Sequence, residues 1–255
     1  MNPKTVIAVL NRGDQKMKAI FYSTLAMLLT LMFLSGCTKE PTSPDDSYNP
    51  KIIPAEFVSG VTNPFFPLTP RKIFHYRAVT NEGTETNKAY VTRDTKQVIG
   101  VTCVVVADSV WLNGVLIEAT FDWYAQHQDG TVWYFGEAVD NYENGKLKDH
   151  DGAWTAGVDG AKPGIIMEAN PKVGDVYRQE LYKGEAEDMA EVLSLKESVS
   201  VPFGSFQNCL RTREWTPLEP GKESNKFYMS GVGFVMEIYT KGESKKVELI
   251  DITTR

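Results

Sequence analysis

The residues best suited to chemistry lie in two short segments, Asp122-Trp123-Tyr124 and Trp133-Tyr134-Phe135, with Glu137 just beyond. They flank Asp129-Gly130, a tight-hairpin signal, because both residue types tolerate positive φ. Side chains alternate across a strand. Asp122 and Tyr124 therefore share one face and Trp123 takes the other, while Trp133 and Phe135 share a face opposite Tyr134. One aromatic row would suit a concave site for a sugar, a lipid or an apolar wall fragment, with Asp122 and Glu137 orienting it. The plainer alternative is that one row fills the core and the other covers the sheet, the usual use of large aromatics in a small β core.

Other polar groups carry weaker signals. Arg178, Arg211 and Arg213 fall on predicted strands near Glu180 and Glu214. They would suit an anionic ligand inside a curved sheet, or simply form cross-strand ion pairs. Glu185, Glu187, Asp188 and Glu191 crowd one short stretch. A carboxylate pair there would do acid–base work or bind Ca²⁺, and a solvated turn explains it as well. Asp140 to Gly145 starts like a calcium loop. However, Tyr142 takes the third ligand position and Asp151 stands where the loop needs Glu. No metal or cofactor is expected.

Catalytic signatures are absent. There is no phosphate loop, no dinucleotide fingerprint, no His-Glu-x-x-His and no Gly-x-Ser-x-Gly. Only three His, at 75, 127 and 150, are present for a triad. The chain reads as a non-enzyme. The rival reading is an envelope glycan hydrolase using two carboxylates from Asp122, Glu137, Glu185 and Glu187. A third is a structural subunit assembling through an exposed strand edge.

The chain as a whole bounds these options. Its 255 residues carry 27 Lys+Arg against 33 Asp+Glu, a net charge of −6. That is long enough to bury a core and too acidic for nucleic acid as the main partner. Three Cys exclude a disulfide-stapled scaffold.

Lys18 precedes an apolar run from Ala19 to Leu34, and Ser35 and Gly36 then precede Cys37. This is the order of an export signal, too short for a spanning helix of about 20 residues. Leu34-Ser35-Gly36-Cys37 resembles the lipobox of bacterial lipoproteins. Cleavage is expected between Gly36 and Cys37, with diacylglycerol joined to the Cys37 thiol, so that the lipid bilayer is the first expected partner. Met17 is the expected true start, with residues 1–16 a translated leader. A longer basic n-region would give the same cleavage. Removing residues 1–36 takes four basic residues and one acid, so the mature chain has 23 basic and 32 acidic groups and a net charge of −9. Its attachment would come from lipid and not from a basic surface. Thr38 after Cys37 lacks the Asp of an inner-membrane retention signal, which leans towards an outer membrane.

Residues 37–60 read as the lipidated Cys and a flexible, Pro-rich linker. Residues 61–255 read as one antiparallel β domain. Strands are predicted at Ile73–Thr80, Ala89–Thr92, Val98–Ala107, Ala119–His127, Thr131–Phe135, Val176–Tyr182, Ala190–Leu195, Phe206–Trp215, Lys226–Met229, Phe234–Tyr239 and Val247–Ile252. Gly152–Gly164 reads as a loop over one rim. Asn144-Gly145 is a second hairpin signal, and Gly231 with Gly233 should bend the sheet before Phe234. An exported chain permits a disulfide between Cys103 and Cys209, and two free core thiols fit equally.

Three stretches carry a family resemblance. Asn63-Pro-Phe-Phe-Pro-Leu-Thr-Pro70 with Phe74-His-Tyr76 resembles the opening strand of bacterial exported proteins, often lipoproteins of unknown function and TapB-like in general layout. Val201-Pro-Phe-Gly-Ser-Phe206 with Cys209-Leu-Arg211, and Tyr228-Met-Ser-Gly-Val-Gly-Phe-Val-Met-Glu237, resemble their later strands. The resemblance spans about Asn63 to Ile252. It implies export and a curved antiparallel sheet, and it implies no substrate. Arg71 departs from the pattern, which commonly has Gly there. The expected fold is mainly β, a single curved antiparallel sheet as half-barrel, β-roll or sandwich. The expected role is an envelope lipoprotein that binds a small molecule or an envelope component.

Overall fold

The computed structural model describes residues 47–255. The expected signal peptide, the expected cleavage point at Gly36 and Cys37, and the expected tether up to residue 46 lie outside the described residues. The described chain is nearly all strand, with one 3-10 turn at Pro54–Glu56. The strands are β1 (Phe57–Val58), β2 (Lys72–Thr80), β3 (Gly83–Val98), β4 (Val101–Leu112), β5 (Val115–His127), β6 (Val132–Glu143), β7 (Lys146–Asp149) and β8 (Trp154–Thr155). They continue as β9 (Lys162–Met167), β10 (Val176–Arg178), β11 (Glu180–Leu181), β12 (Met189–Val201), β13 (Gly204–Trp215), β14 (Glu223–Met229), β15 (Gly233–Lys241) and β16 (Lys246–Thr254).

All pair antiparallel in one sheet, ordered β10-β12-β13-β14-β15-β16-β2-β3-β4-β5-β6-β9-β11. The two ends of that order, β10 and β11, are consecutive in the chain. Residues 176–178 bond to β12, and residues 180 and 181 bond to β9. One short segment therefore joins the two edges, and the sheet curls into a nearly closed barrel. Closure removes the free edges that would otherwise template aggregation.

The seam leaves no room for side chains. A Cβ on Gly164 of β9 would lie 2.3 Å from the carbonyl carbon of Gln179 and 2.5 Å from the Arg178 carbonyl oxygen. Tyr48 lies across the same place. Its hydroxyl donates to the Pro163 carbonyl at 2.9 Å, its own carbonyl accepts from Lys162 Nζ at 2.6 Å, and the Arg178 guanidinium sits over its ring. The body thus begins before the expected boundary at residue 61. Tyr48 clasps the seam and β1 pairs with β5, so this part of the expected linker is packed structure.

The closed sheet separates two apolar cores. The inner one contains Phe74, Tyr76, Val91, Val106, Leu210 and Leu249. The outer one contains Cys103, Val105, Trp123, Phe135, Trp154 and Ala161. β4 is apolar on both faces for this reason, with Val105 outward and Val106 inward. Residues 152–164, expected to cover a rim, lie on the outer face instead and include β8 and the start of β9. Trp154 holds them there: it is buried in that core with Ala156 and Ala161, and its ring meets Tyr134 edge-on at 5.3 Å.

The Pro-rich motif is a plug. Asn63 is 2% exposed. Its side chain donates to the Gly130 and Glu168 carbonyls and accepts from Phe65 N–H. Gly231 N–H donates to the Pro64 carbonyl at 2.7 Å. Gly130 sits in the β5–β6 turn and Gly231 in the β14–β15 turn, so this segment covers the barrel end that carries those turns. The bend expected before Phe234 falls just after it: the register shift between Phe227 and Tyr228 leaves Val235 as the extra residue. Arg71 has a left-handed φ of 75°, a conformation that glycine adopts more readily than a residue with a side chain.

One detail corrects the sequence reading. Only Gly130 of the Asp129-Gly130 pair has positive φ. The turn is a longer one, in which His127 N–H bonds to the Thr131 carbonyl and Gly130 N–H returns to His127. Of the two arrangements left open for Cys103 and Cys209, the structure has the free thiols, both buried. Cys103 lies in the outer core and Cys209 in the inner, which keeps the sulfurs apart.

The seam geometry predicts that Gly164→Ala costs about 2 kcal/mol or more, as overpacking against backbone does. Gly204→Ala, where an added Cβ meets ordinary contact only, should stay within about 0.5 kcal/mol of the parent. Urea unfolding checks both.

Candidate functional site

Side-chain alternation and closure together make an interior cavity of about 450 Å³. Phe66, Leu68, Phe74, Val91, Val106 and Phe234 supply an apolar wall. Phe66, Pro67 and Leu68 come from the plug. The opposite end, near the β2–β3, β4–β5 and β15–β16 turns, is polar. Glu85, Glu118, Tyr239 and Lys245 line it.

A ladder of polar groups runs inward from there along β4 and β5. Glu118, Asp122 and Tyr124 follow one face of β5, with Asp108 on β4 beside them. The Asn87 amide donates to Asp108 at 2.6 Å. Tyr134 donates its hydroxyl to Asp122 at 2.7 Å, and the Tyr134 ring stacks on Tyr124 at 4.8 Å. Asp122 and Glu137 are direct cross-strand partners.

The charges do not balance locally. Lys245 pairs with Glu85 at 2.6 Å, and Lys226 pairs with Glu214 at 2.7 Å. Glu214 is also held by the Thr212 and Tyr228 hydroxyls. Burial opposes the Lys226 charge, but Glu214 and Glu237 outweigh it and keep the ammonium. Among the described residues no cation forms an ion pair with Asp108, Glu118 or Asp122.

Their proton affinities rise accordingly. Burial, then the Asp122 charge, pushes the Asp108 carboxyl up to about 8, against the pull of Asn87. Burial pushes Asp122 up to about 6, opposed by its hydroxyl donors Tyr134, Thr120 and Tyr124. Burial and the charges of Asp122 and Glu180 push Glu137 up to about 9. Glu118 is raised by burial and then by Glu85, against the pull of Lys245. The surface that Asp122 still exposes faces the cavity, not bulk water, which is why it behaves as a buried group.

The structure brings together Asp122, Tyr124, Tyr134 and Glu137 and separates them from the rest of the expected set. Trp123 and Trp133 point outward. Trp123 is buried in the outer core with Lys96 over its ring, and Trp133 packs at the edge of that core. Arg178 is buried at the seam against Tyr48. Arg213 pairs with Glu191 at 2.8 Å and stacks over Trp215. Glu187 accepts from Gly184 N–H in the turn after β11, away from Asp122. Asp149 is held by Asn141 and Lys148. No group of three His, Cys, Asp or Glu that could hold a metal occurs among the described residues.

Asp108 and Glu118 are site residues that sequence reading passed over. The signal was their parity. Asp108 is in step with Val104 and Val106, and Glu118 with Asp122 and Tyr124.

No family model matches the chain, and no curated protein matches it. Two solved structures are similar. One is a Bacteroides fragilis protein described as exported, with a YmcC-like fold. It is 16% identical with a TM-score of 0.46, and the match covers 74% of this chain and 99% of that one. The other is a Parabacteroides distasonis protein described as a lipoprotein. It is 13% identical with a TM-score of 0.43, and the match covers 74% of this chain and 98% of that one.

The raised carboxyls set the pH dependence of stability. Each holds a proton in the folded chain that it would release in the unfolded one, from about pH 4 upward. Their contribution is therefore full below about pH 4 and is lost as pH rises through the folded values, near 8 for Asp108 and 9 for Glu137. Urea midpoints should fall from pH 5 to pH 9. Asp108→Asn, neutral at every pH, should raise the midpoint at pH 9 and change it little at pH 5.

Proposed function

We propose that the chain is a bacterial envelope lipoprotein, non-enzymatic, held to a membrane through acylated Cys37, and that its barrel interior binds a small molecule with an apolar body. The observation that carries this is the cavity, plugged at one end and polar at the other. Its volume of about 450 Å³ falls in the range of known ligand sites, roughly 300–1,000 Å³. The export signal and the lipobox-like Leu34–Cys37 support the placement. Ten residues lie between Cys37 and Tyr48, the first clasp on the body. At full extension the eleven steps reach at most about 40 Å, which would hold the body close to a bilayer.

Two experiments test the two halves. Metabolic labelling with an alkyne palmitate should mark the full chain, and Cys37→Ser should abolish the mark; equal labelling of both, or of neither, would refute the anchor. The neutral dye N-phenyl-1-naphthylamine should bind Thr42–Arg255, the compact unit that contains every strand of the described residues, with one site and enhanced fluorescence. Ala89→Phe and Val110→Trp, which fill the cavity, should each weaken the dye at least tenfold while the circular dichroism stays that of a β protein. Dye binding unchanged in both variants would place the dye elsewhere and remove the reading.

A further inference from the structure

We infer that the ligand of the interior is an organic cation, a protonated amine or quaternary ammonium on an apolar body. This rests on the interior being a binding site and names what that site selects.

Charge complementarity is the first argument. Five carboxyl side chains line the cavity, Glu85, Asp108, Glu118, Asp122 and Glu237, against two lysines. Both lysines are engaged, Lys245 by Glu85 and Lys226 by Glu214. Asp108 and Asp122 remain without a cation beside them, and Glu118, at the polar end of the same row, feels only the Lys245 that Glu85 already engages. An anionic head would meet them at a large desolvation cost, and a cationic head would supply the missing partner.

Aromatic content is the second, independent argument. Tyr76, Tyr124, Tyr228 and Tyr239 line the same space as those acids. Aromatic faces beside carboxylates form the environment that recognises ammonium groups, because the ring quadrupole attracts the cation without needing a hydrogen bond. Hydrogen-bond capacity points the same way. The Asn87 oxygen next to Asp108 is buried and has no donor, and Asp108 accepts only from the Asn87 amide. An ammonium brings donors alone, which fits a wall of acceptors. The apolar wall of Phe66, Phe74, Val106 and Phe234 then takes the body of the molecule.

The raised proton affinities of Asp108 and Asp122 agree with this. With no cation beside them they favour the neutral form, and a bound ammonium would favour the charged one. The groups that act on them are Asn87, Thr120, Tyr76, Tyr124, Tyr134, Glu118, Glu137 and Glu180, and the cavity's two lysines, Lys226 and Lys245, are paired with Glu214 and Glu85 instead.

The test uses three ligands of one chain length and different heads. Decylamine, decanol and decanoate are titrated at pH 8, below their micelle concentrations, into Thr42–Arg255 by calorimetry and by displacement of N-phenyl-1-naphthylamine. Decylamine should bind one per chain, at least tenfold tighter than decanol, with decanoate weakest. The double variant Asp108→Asn, Asp122→Asn should weaken decylamine at least tenfold and leave decanol unchanged. Glu118→Gln, nearer the polar end, gives a second variant with the same expected direction. Equal affinity for decylamine and decanol, or a preference for decanoate, would overturn the inference and leave the binding site standing. Failure of all three ligands and of the dye would remove the site itself.

Discussion

Everything inside this barrel depends on residues 176–181 bonding in two directions. Val176 to Arg178 continue the sheet from β12, and Glu180 and Leu181 continue it from β9. Without that join the sheet has two open edges, and the faces of β4 and β5 that carry Asp108 and Asp122 meet water. With it they meet a confined space. The join is tight because Gly164 lets the Gln179 backbone approach where any side chain would block it. The Tyr48 clasp adds a cation–π contact and two hydrogen bonds across the same line. The first residues of the body are thus used to hold its last closure.

Closure also explains the division of the aromatics. A small barrel with one covered outer face has two places to bury large rings. Trp123 and Phe135 occupy the outer one beneath the Trp154 segment and Tyr124 lines the inner cavity, while Tyr134 packs edge-on against Trp154, stacks on Tyr124 and reaches Asp122 with its hydroxyl. A tyrosine is suited to that position because its ring packs and its oxygen still bonds. Placing several carboxyls in the same interior works against stability, since burying each one disfavours its charge. A fold that carries such groups in a space it could have filled with Leu or Val shows the pattern expected of a site kept at some cost to stability.

Much of the fold was legible before the structure. Strands with β-branched and aromatic alternation, such as Ile73–Thr80 and Phe206–Trp215, lie within a residue or two of where the sequence puts them. The short β7, β8 and β9 were not legible, because Lys-rich and Gly-rich stretches show no alternation and pair only where the sheet offers an edge. The seam was illegible for a stronger reason. Arg178, Gln179 and Glu180 are three consecutive polar residues, all buried, and nothing local to them announces it. Tyr48 was hidden in a Pro-rich stretch whose composition suits a linker. In the site, Asp122 stood out by its aromatic neighbours. Asp108 and Glu118 did not, since which face of β4 and β5 becomes interior is decided by a closure formed some sixty or more residues later in the chain.

The most direct check on this account is a crystal structure of Thr42–Arg255 grown with decylammonium chloride. The account predicts one decylammonium inside the barrel, its nitrogen within hydrogen-bond distance of Asp108 or Asp122 and its chain along Phe74 and Phe234. A barrel open between Gly164 and Gln179, or an interior filled by its own side chains with the cation bound only outside, would contradict it.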